Sequence, residues 1–89
     1  MAKKGTESYE DLLRTLARNV KYFRQRTGLN QQELSRRARL YHNYVGRIEN
    51  QRTNPEVRSL TKLAKALDVK LVALLSRPSP VQRSKSKRD

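Results

Sequence analysis

Eighty-nine residues make one small domain, and a formal net charge of +13 with a sequence pI of about 11.0 makes it strongly basic. Cysteine is absent and His occurs once, which excludes disulfides and thiolate metal sites and leaves too few ligands for a zinc centre. No apolar run approaches the roughly 20 residues of a membrane-spanning helix and no signal-peptide pattern opens the chain, so a soluble, cytoplasmic protein without membrane contact is expected.

Residues 1–7 are small and polar, and a flexible N-terminus is expected there. Helical periodicity then predicts five helices and no strand across residues 8–75, a compact all-α domain. Ser8 caps the first helix, Asp11 sits near its positive end, and Leu12, Leu13, Leu16, Val20 and Phe23 recur at helical spacing down to Thr27. Gly28 stops that helix, Asn30 can cap the next, and Glu33 completes an Asn-x-x-Glu variant of the capping box. Leu29 and Leu34 stand where a hydrophobic staple would fix the angle of entry. The second helix is predicted from Gln31 to about Ala38, burying Leu34 and Ala38, and the third from Tyr41 or His42 to about Asn50, with Val45 and Ile48 inward. Asn54 caps a fourth helix that opens on Pro55, where the missing amide is harmless. Its apolar stripe is Val57, Leu60, Leu63, Ala64 and Leu67, Asp68 and Val69 break it, and Lys70 to Leu75 makes a short fifth helix. Ser, Pro, Lys and Arg dominate residues 76–89, which read as a disordered basic tail.

Two features bear on function. Asn30 to Asn54 has the outline of a helix-turn-helix: two short helical patterns around a turn, with polar and aromatic residues on the outward side of the second. Residues 9–75 carry +8 of the charge, against +1 for residues 1–8 and +4 for residues 76–89, so the folded part is itself basic. A basic globular surface points to a polyanion, chiefly nucleic acid, with charge kept for solubility as the plainer alternative.

From Leu16 to Leu75 the chain resembles the phage-repressor-like (Xre/Cro) helix-turn-helix family. The matching pieces are Gly28-Leu29-Asn30-Gln31 with Glu33-Leu34, then Tyr44-Val45, Arg47-Ile48-Glu49-Asn50, Arg52, Asn54-Pro55, and the run Leu63-Ala64-x-Ala66-Leu67-Asp68-Val69. Tyr-Val-Gly-Arg-Ile-Glu followed by Arg-x-Asn leans to the restriction-modification controller-like subgroup. The resemblance implies five helices around one core with the third in the DNA major groove, and a transcriptional regulator that is not an enzyme and needs no cofactor.

It also implies roles residue by residue. Gln31 resembles a clamp on a backbone phosphate, helped by free amides at the helix N-terminus. His42 and Asn43 stand where the family makes base-edge contacts; Asn suits adenine, and His can reach guanine acceptors. Arg47, four residues after Asn43, is expected on the same face as a guanine reader, with phosphate contact as its rival. Tyr44 has two readings, packing inward or meeting a thymine methyl. Asn50, Arg52 and Arg58 are phosphate candidates, while Asn54 is assigned to its cap. Glu49 is expected to pair with Arg24 and so to orient the reader helix.

Two residues depart from the family pattern. Arg39 stands where a glycine usually permits a left-handed turn, so either the turn is built differently or the strain of about 1 kcal/mol is compensated. Tyr41 replaces the usual Ser or Thr cap of the third helix, a bond worth roughly 1 kcal/mol, and joins the DNA-contact candidates on the phosphate side. A single reader helix covers too few bases to choose a genomic site, so a homodimer through helices four and five on an inverted-repeat operator of double-stranded DNA is expected. The other classes left open are a charge-driven nonspecific nucleic-acid binder and an antitoxin-like protein-interaction module. With no second domain, no inducer pocket is expected.

Overall fold

The computed structural model describes residues 7–77, in which the backbone forms α1 (Tyr9–Thr27), α2 (Gln31–Arg37), α3 (Tyr44–Glu49), α4 (Val57–Leu67) and α5 (Leu71–Leu75). No strand occurs among the described residues. The expectations for the flexible N-terminus and the basic tail fall almost wholly outside them.

The first two helices begin on local side-chain chemistry. Ser8 Oγ accepts from the Asp11 N–H at 3.0 Å and the Asp11 carboxylate accepts from the Ser8 N–H at 3.4 Å, a closed capping box. The Ser8 hydroxyl and backbone N–H beside it, ahead of the nearby Arg14 charge, hold the Asp11 carboxyl below its ordinary range. Asn30 and Glu33 make the equivalent box at the start of α2, both bonds at 2.8 Å. Between the two helices Gly28 takes the left-handed conformation, at φ 81°, that ends α1.

Leu16 and Val20 of α1, Leu34 of α2, Val45 and Ile48 of α3, Leu60, Leu63 and Leu67 of α4 and Leu74 of α5 meet in one buried cluster. Each such side chain stabilises the fold by about 1.5–3 kcal/mol when fully buried. This cluster holds α3 against α1 and α2 with its other face turned outward.

Residues Arg39, Gln51 and Asp68 end α2, α3 and α4 at φ 61°, 57° and 60°. In each case the next residue's N–H reaches five residues back: Leu40 to the Ser35 carbonyl at 2.8 Å, Arg52 to that of Arg47 at 2.8 Å, and Val69 to that of Ala64 at 2.9 Å. The turn after α2 is therefore the left-handed one that glycine usually makes, and Arg39 adopts it at a cost on the order of 1 kcal/mol.

Several boundaries differ from the sequence expectation. The third helix begins at Tyr44, not at Tyr41 or His42, and Asn43 is its N-cap residue with no side-chain cap bond. The fourth begins at Val57, with extended Glu56 as its N-cap, so Pro55 does not open it and Asn54 does not cap it. The Asn54 carboxamide oxygen is occupied instead, accepting from the Tyr9 hydroxyl at 2.7 Å. Val57 is 68% exposed and stands outside the apolar stripe.

Candidate nucleic-acid interface

The third helix is six residues long and draws its end contacts from other elements. Ser35, fully buried on α2, accepts from the Val45 N–H at 3.0 Å through its hydroxyl. That bond does the work expected of a cap at Tyr41 and satisfies one of the free amides of the first turn. Beneath the helix, Arg24 of α1 grips Glu49 with Nε to Oε2 at 2.7 Å and Nη2 to Oε1 at 3.0 Å, and donates through Nη1 to the Leu29 carbonyl at 3.0 Å. Both partners are largely buried, at 12% and 5% side-chain exposure, and the geometry is bidentate. The expected ion pair is thus present, tying α1, the α1–α2 corner and α3 together.

Gln31 joins the same network, its Nε2 donating to Glu49 Oε1 at 2.8 Å. Its amide lies so close over α3 that a Cβ on Gly46 would meet Gln31 Oε1 at 3.0 Å. Gly46 thus leaves room for the Gln31 side chain to lie over α3.

Outward, the structure arranges the predicted contact residues in two groups. Tyr41, His42 and Asn43 are exposed in the turn ahead of α3, one residue or more outside the helix whose first turn they were expected to form. The backbone there closes a tight turn, Tyr44 N–H to the Tyr41 carbonyl at 3.0 Å, and His42 lies 3.4 Å from Gln32 through their Nε2 atoms. At the other end Arg47, Asn50 and Arg52 are exposed, and Arg58 follows on the solvent face of α4. Arg47 Nη2 donates to the Arg52 carbonyl at 2.9 Å, and Asn50 Nδ2 donates to the Gly46 carbonyl at 2.8 Å. Arg47 therefore holds the loop that carries Arg52.

Tyr44 is withdrawn as a base contact. It is 5% exposed within the core cluster, its ring packed edge-on against Tyr41 with centroids 5.1 Å apart. Burial raises the phenol above its ordinary value, against the opposing pull of the Ser59 side chain and the Glu56 backbone, which lie near the hydroxyl without forming a well-aligned hydrogen bond.

Sequence reasoning missed Ser35, Gly46, Gln32 and Asn19. Asn19 is buried on α1 and donates through Nδ2 to the carbonyls of Ala73, Leu74 and Ser76 at 3.2, 2.9 and 2.7 Å, capping the end of α5. Charge is left unbalanced around all of these elements: Arg14–Asp11 and Arg24–Glu49 are the ion pairs among the described residues. No described helix is long and apolar enough to cross a membrane, and no cluster of acids and His among the described residues could hold a metal.

Two short helices around a tight turn, the second braced from within and bare on its outer side, define a helix-turn-helix protein. The model of the helix-turn-helix family matches residues 20–74. The chain belongs to that family, in its phage-repressor-like (Xre/Cro) form, a family of DNA-binding transcriptional regulators. It is 38% identical over 69 residues to a hypothetical transcription factor of Neisseria meningitidis serogroup B, an alignment covering 78% of this chain and 65% of that protein, just under two thirds of its length. Over 69 residues it is 33% identical to the control protein C.SmaI of Serratia marcescens, covering 78% of this chain and 82% of that one. The crystal structure of the hypothetical transcription factor NHTF from Neisseria superposes with a TM-score of 0.75 at 32% identity, covering 97% of both chains.

Proposed function

We propose that the protein is a sequence-specific regulator of transcription that lays α3 in the major groove of duplex DNA. His42, Asn43 and Arg47 read base edges, and Gln31, Tyr41, Asn50, Arg52 and Arg58 hold phosphates on either side. The observation that carries this reading is the division of α3: Val45, Ile48 and Glu49 are committed inward to the core and the Arg24 grip, while the turn before it and the loop after it present exposed polar and cationic side chains. Gln31 has a second amide hydrogen beyond the one given to Glu49, so it can bond a phosphate without leaving α3.

It works as a homodimer on an inverted repeat, through α5 and the adjoining end of α4, in the cytoplasm with the nucleoid. The exposed Val72, beside half-buried Leu71 and Leu75, supports that surface. The likeness to a control protein favours a role beside restriction-modification genes.

Selection from a randomised duplex library at near-physiological salt tests the reading. An enriched inverted repeat with half-sites about one helical turn, roughly 34 Å, apart is expected. Salt-sensitive binding without enrichment would replace it with the charge-driven reading, and failure to bind duplex at all would favour a protein-interaction module.

A further inference from the structure

We infer that the cleft between the end of α2 and the outer face of α4 is a second phosphate-binding surface, which takes duplex backbone lying beyond the N-terminal end of α3. This site rests on the DNA-reading role proposed above and adds a face that none of the predicted contact residues but Arg58 approaches.

The cleft has a volume of about 310 Å³ and is lined by Arg37, Ala38, Arg39, Lys62, Lys65 and Ala66. Its four cations are exposed, no carboxylate lines it, and none of the four belongs to an ion pair among the described residues. Arg37 and Lys65 lie in the last turns of α2 and α4, where a cation complements the helix dipole. That accounts for those two alone. Lys62 lies further back along α4, and Arg39 keeps a long cationic side chain at φ 61°, a position that glycine would fill without strain.

Lys62 and Lys65 also continue a line from Arg58 at i, i+4 and i+7, on the side of α4 opposite buried Leu60, Leu63 and Leu67. The line is about 10 Å long, enough to face neighbouring phosphates of one DNA strand. A protein partner would need large apolar anchors, and the apolar residues lining the cleft are Ala38 and Ala66 alone, the rest of its carbon surface being the stems of the four cations. A regularly spaced polyanion fits better. Arg39 precedes His42 by three residues, so the cleft sits off the N-terminal end of α3. DNA engaged by α3 reaches it by running past that end and leaning toward α4.

The test compares wild type with the Lys62→Gln/Lys65→Gln variant on two duplexes that share the selected site. One is trimmed to the site's ends and the other extended by about one helical turn, ~10 base pairs, on each side. The variant is expected to bind the extended duplex about tenfold more weakly and the trimmed one within about twofold, with the slope of log K against log salt on the extended duplex smaller by about 2. Both proteins carry residues 78–89, so any length dependence from that stretch persists in both. Arg39→Gly is expected to weaken binding to the extended duplex about threefold, with a slope smaller by about 1, while melting no lower than wild type, which separates lost charge from lost fold. Equal behaviour of variant and wild type on both lengths, or equal losses on both, would overturn this site alone. Absence of any selected sequence would overturn the DNA-reading role and the site with it.

Discussion

Arg47 poses the sharpest question at the scale of a single side chain, because its guanidinium already has a partner in the Arg52 carbonyl, 2.9 Å away. As a base reader it must leave or share that bond when DNA arrives. Arg47→Ala is then expected to cost roughly 1–3 kcal/mol on the selected site and to relax choice at one base position, whereas Arg52→Ala weakens every sequence alike. Affinities on selected and random duplexes decide it, and equal losses for Arg47→Ala would make it a loop brace. Tyr44 gives a prediction of a different kind. Its buried phenol is raised above the ordinary 10.0, so the folded protein holds that proton more tightly than the unfolded chain. The corresponding stability is fully present below pH 10 and is lost as pH rises through the higher folded-state value. Tyr44→Phe removes this loss, and it also removes a buried hydroxyl that has the Ser59 side chain and the Glu56 backbone near it but no well-aligned hydrogen bond, so at pH 7 the variant should stay within about 1 kcal/mol of wild type. Urea unfolding at pH 7 and above pH 10 should show the gap widening in the variant's favour; a constant gap would place Tyr44 in a wetter environment.

Among the elements, α3 is too short to persist alone, since isolated helices below about 12 residues are marginal in water. Its shape is set from outside, by the Ser35 hydroxyl at one end and the Arg24–Glu49–Gln31 network beneath. Ser35→Ala should therefore destabilise the protein by about 1–2 kcal/mol in chemical denaturation, and it should weaken binding to the selected site even at temperatures where the variant stays folded. Unchanged stability would mean that the Val45 amide finds another acceptor. The same dependence decides what could be read from the chain. The helices were legible because each presents an apolar face at helical spacing, and the ends of α1 and the start of α2 were legible because Ser8, Asp11, Gly28, Asn30 and Glu33 act within a few residues of one another. The starts of α3 and α4 were not, because what governs them comes from across the fold: Ser35 is ten residues from Val45, and Tyr9 is 45 from Asn54. Asn19, whose carbonyl partners lie 54 to 57 residues away, was hidden for the same reason. Once α3 starts at Tyr44 instead of Tyr41 or His42, Tyr44 turns into the core while His42 and Asn43 move into the preceding turn.

For the whole molecule, charge and oligomeric state constrain each other. The cationic line Arg58–Lys62–Lys65 covers the outer face of α4, and two copies of it set face to face across a two-fold axis would repel. The proposed dimer is therefore placed on α5 and the end of α4 nearest it, where Asn19 fixes α5 firmly against α1. Leu74 is fully buried beneath that surface, Leu71 and Leu75 are partly so, and Val72 is 62% exposed. A charged residue at position 72 leaves the monomer's core untouched but places like charges against each other in the pair. Val72→Glu is accordingly expected to keep the wild-type melting profile, to sediment as a monomer at concentrations where wild type is a dimer, and to bind an isolated half-site as wild type does. On the full inverted repeat it should lose the gain from linked half-sites, about 10²-fold or more. A Val72→Glu protein that still sediments as a dimer would move the pairing surface away from α5, and a wild type that is monomeric on DNA would leave the selection of a single half-site to α3 and the phosphate contacts around it.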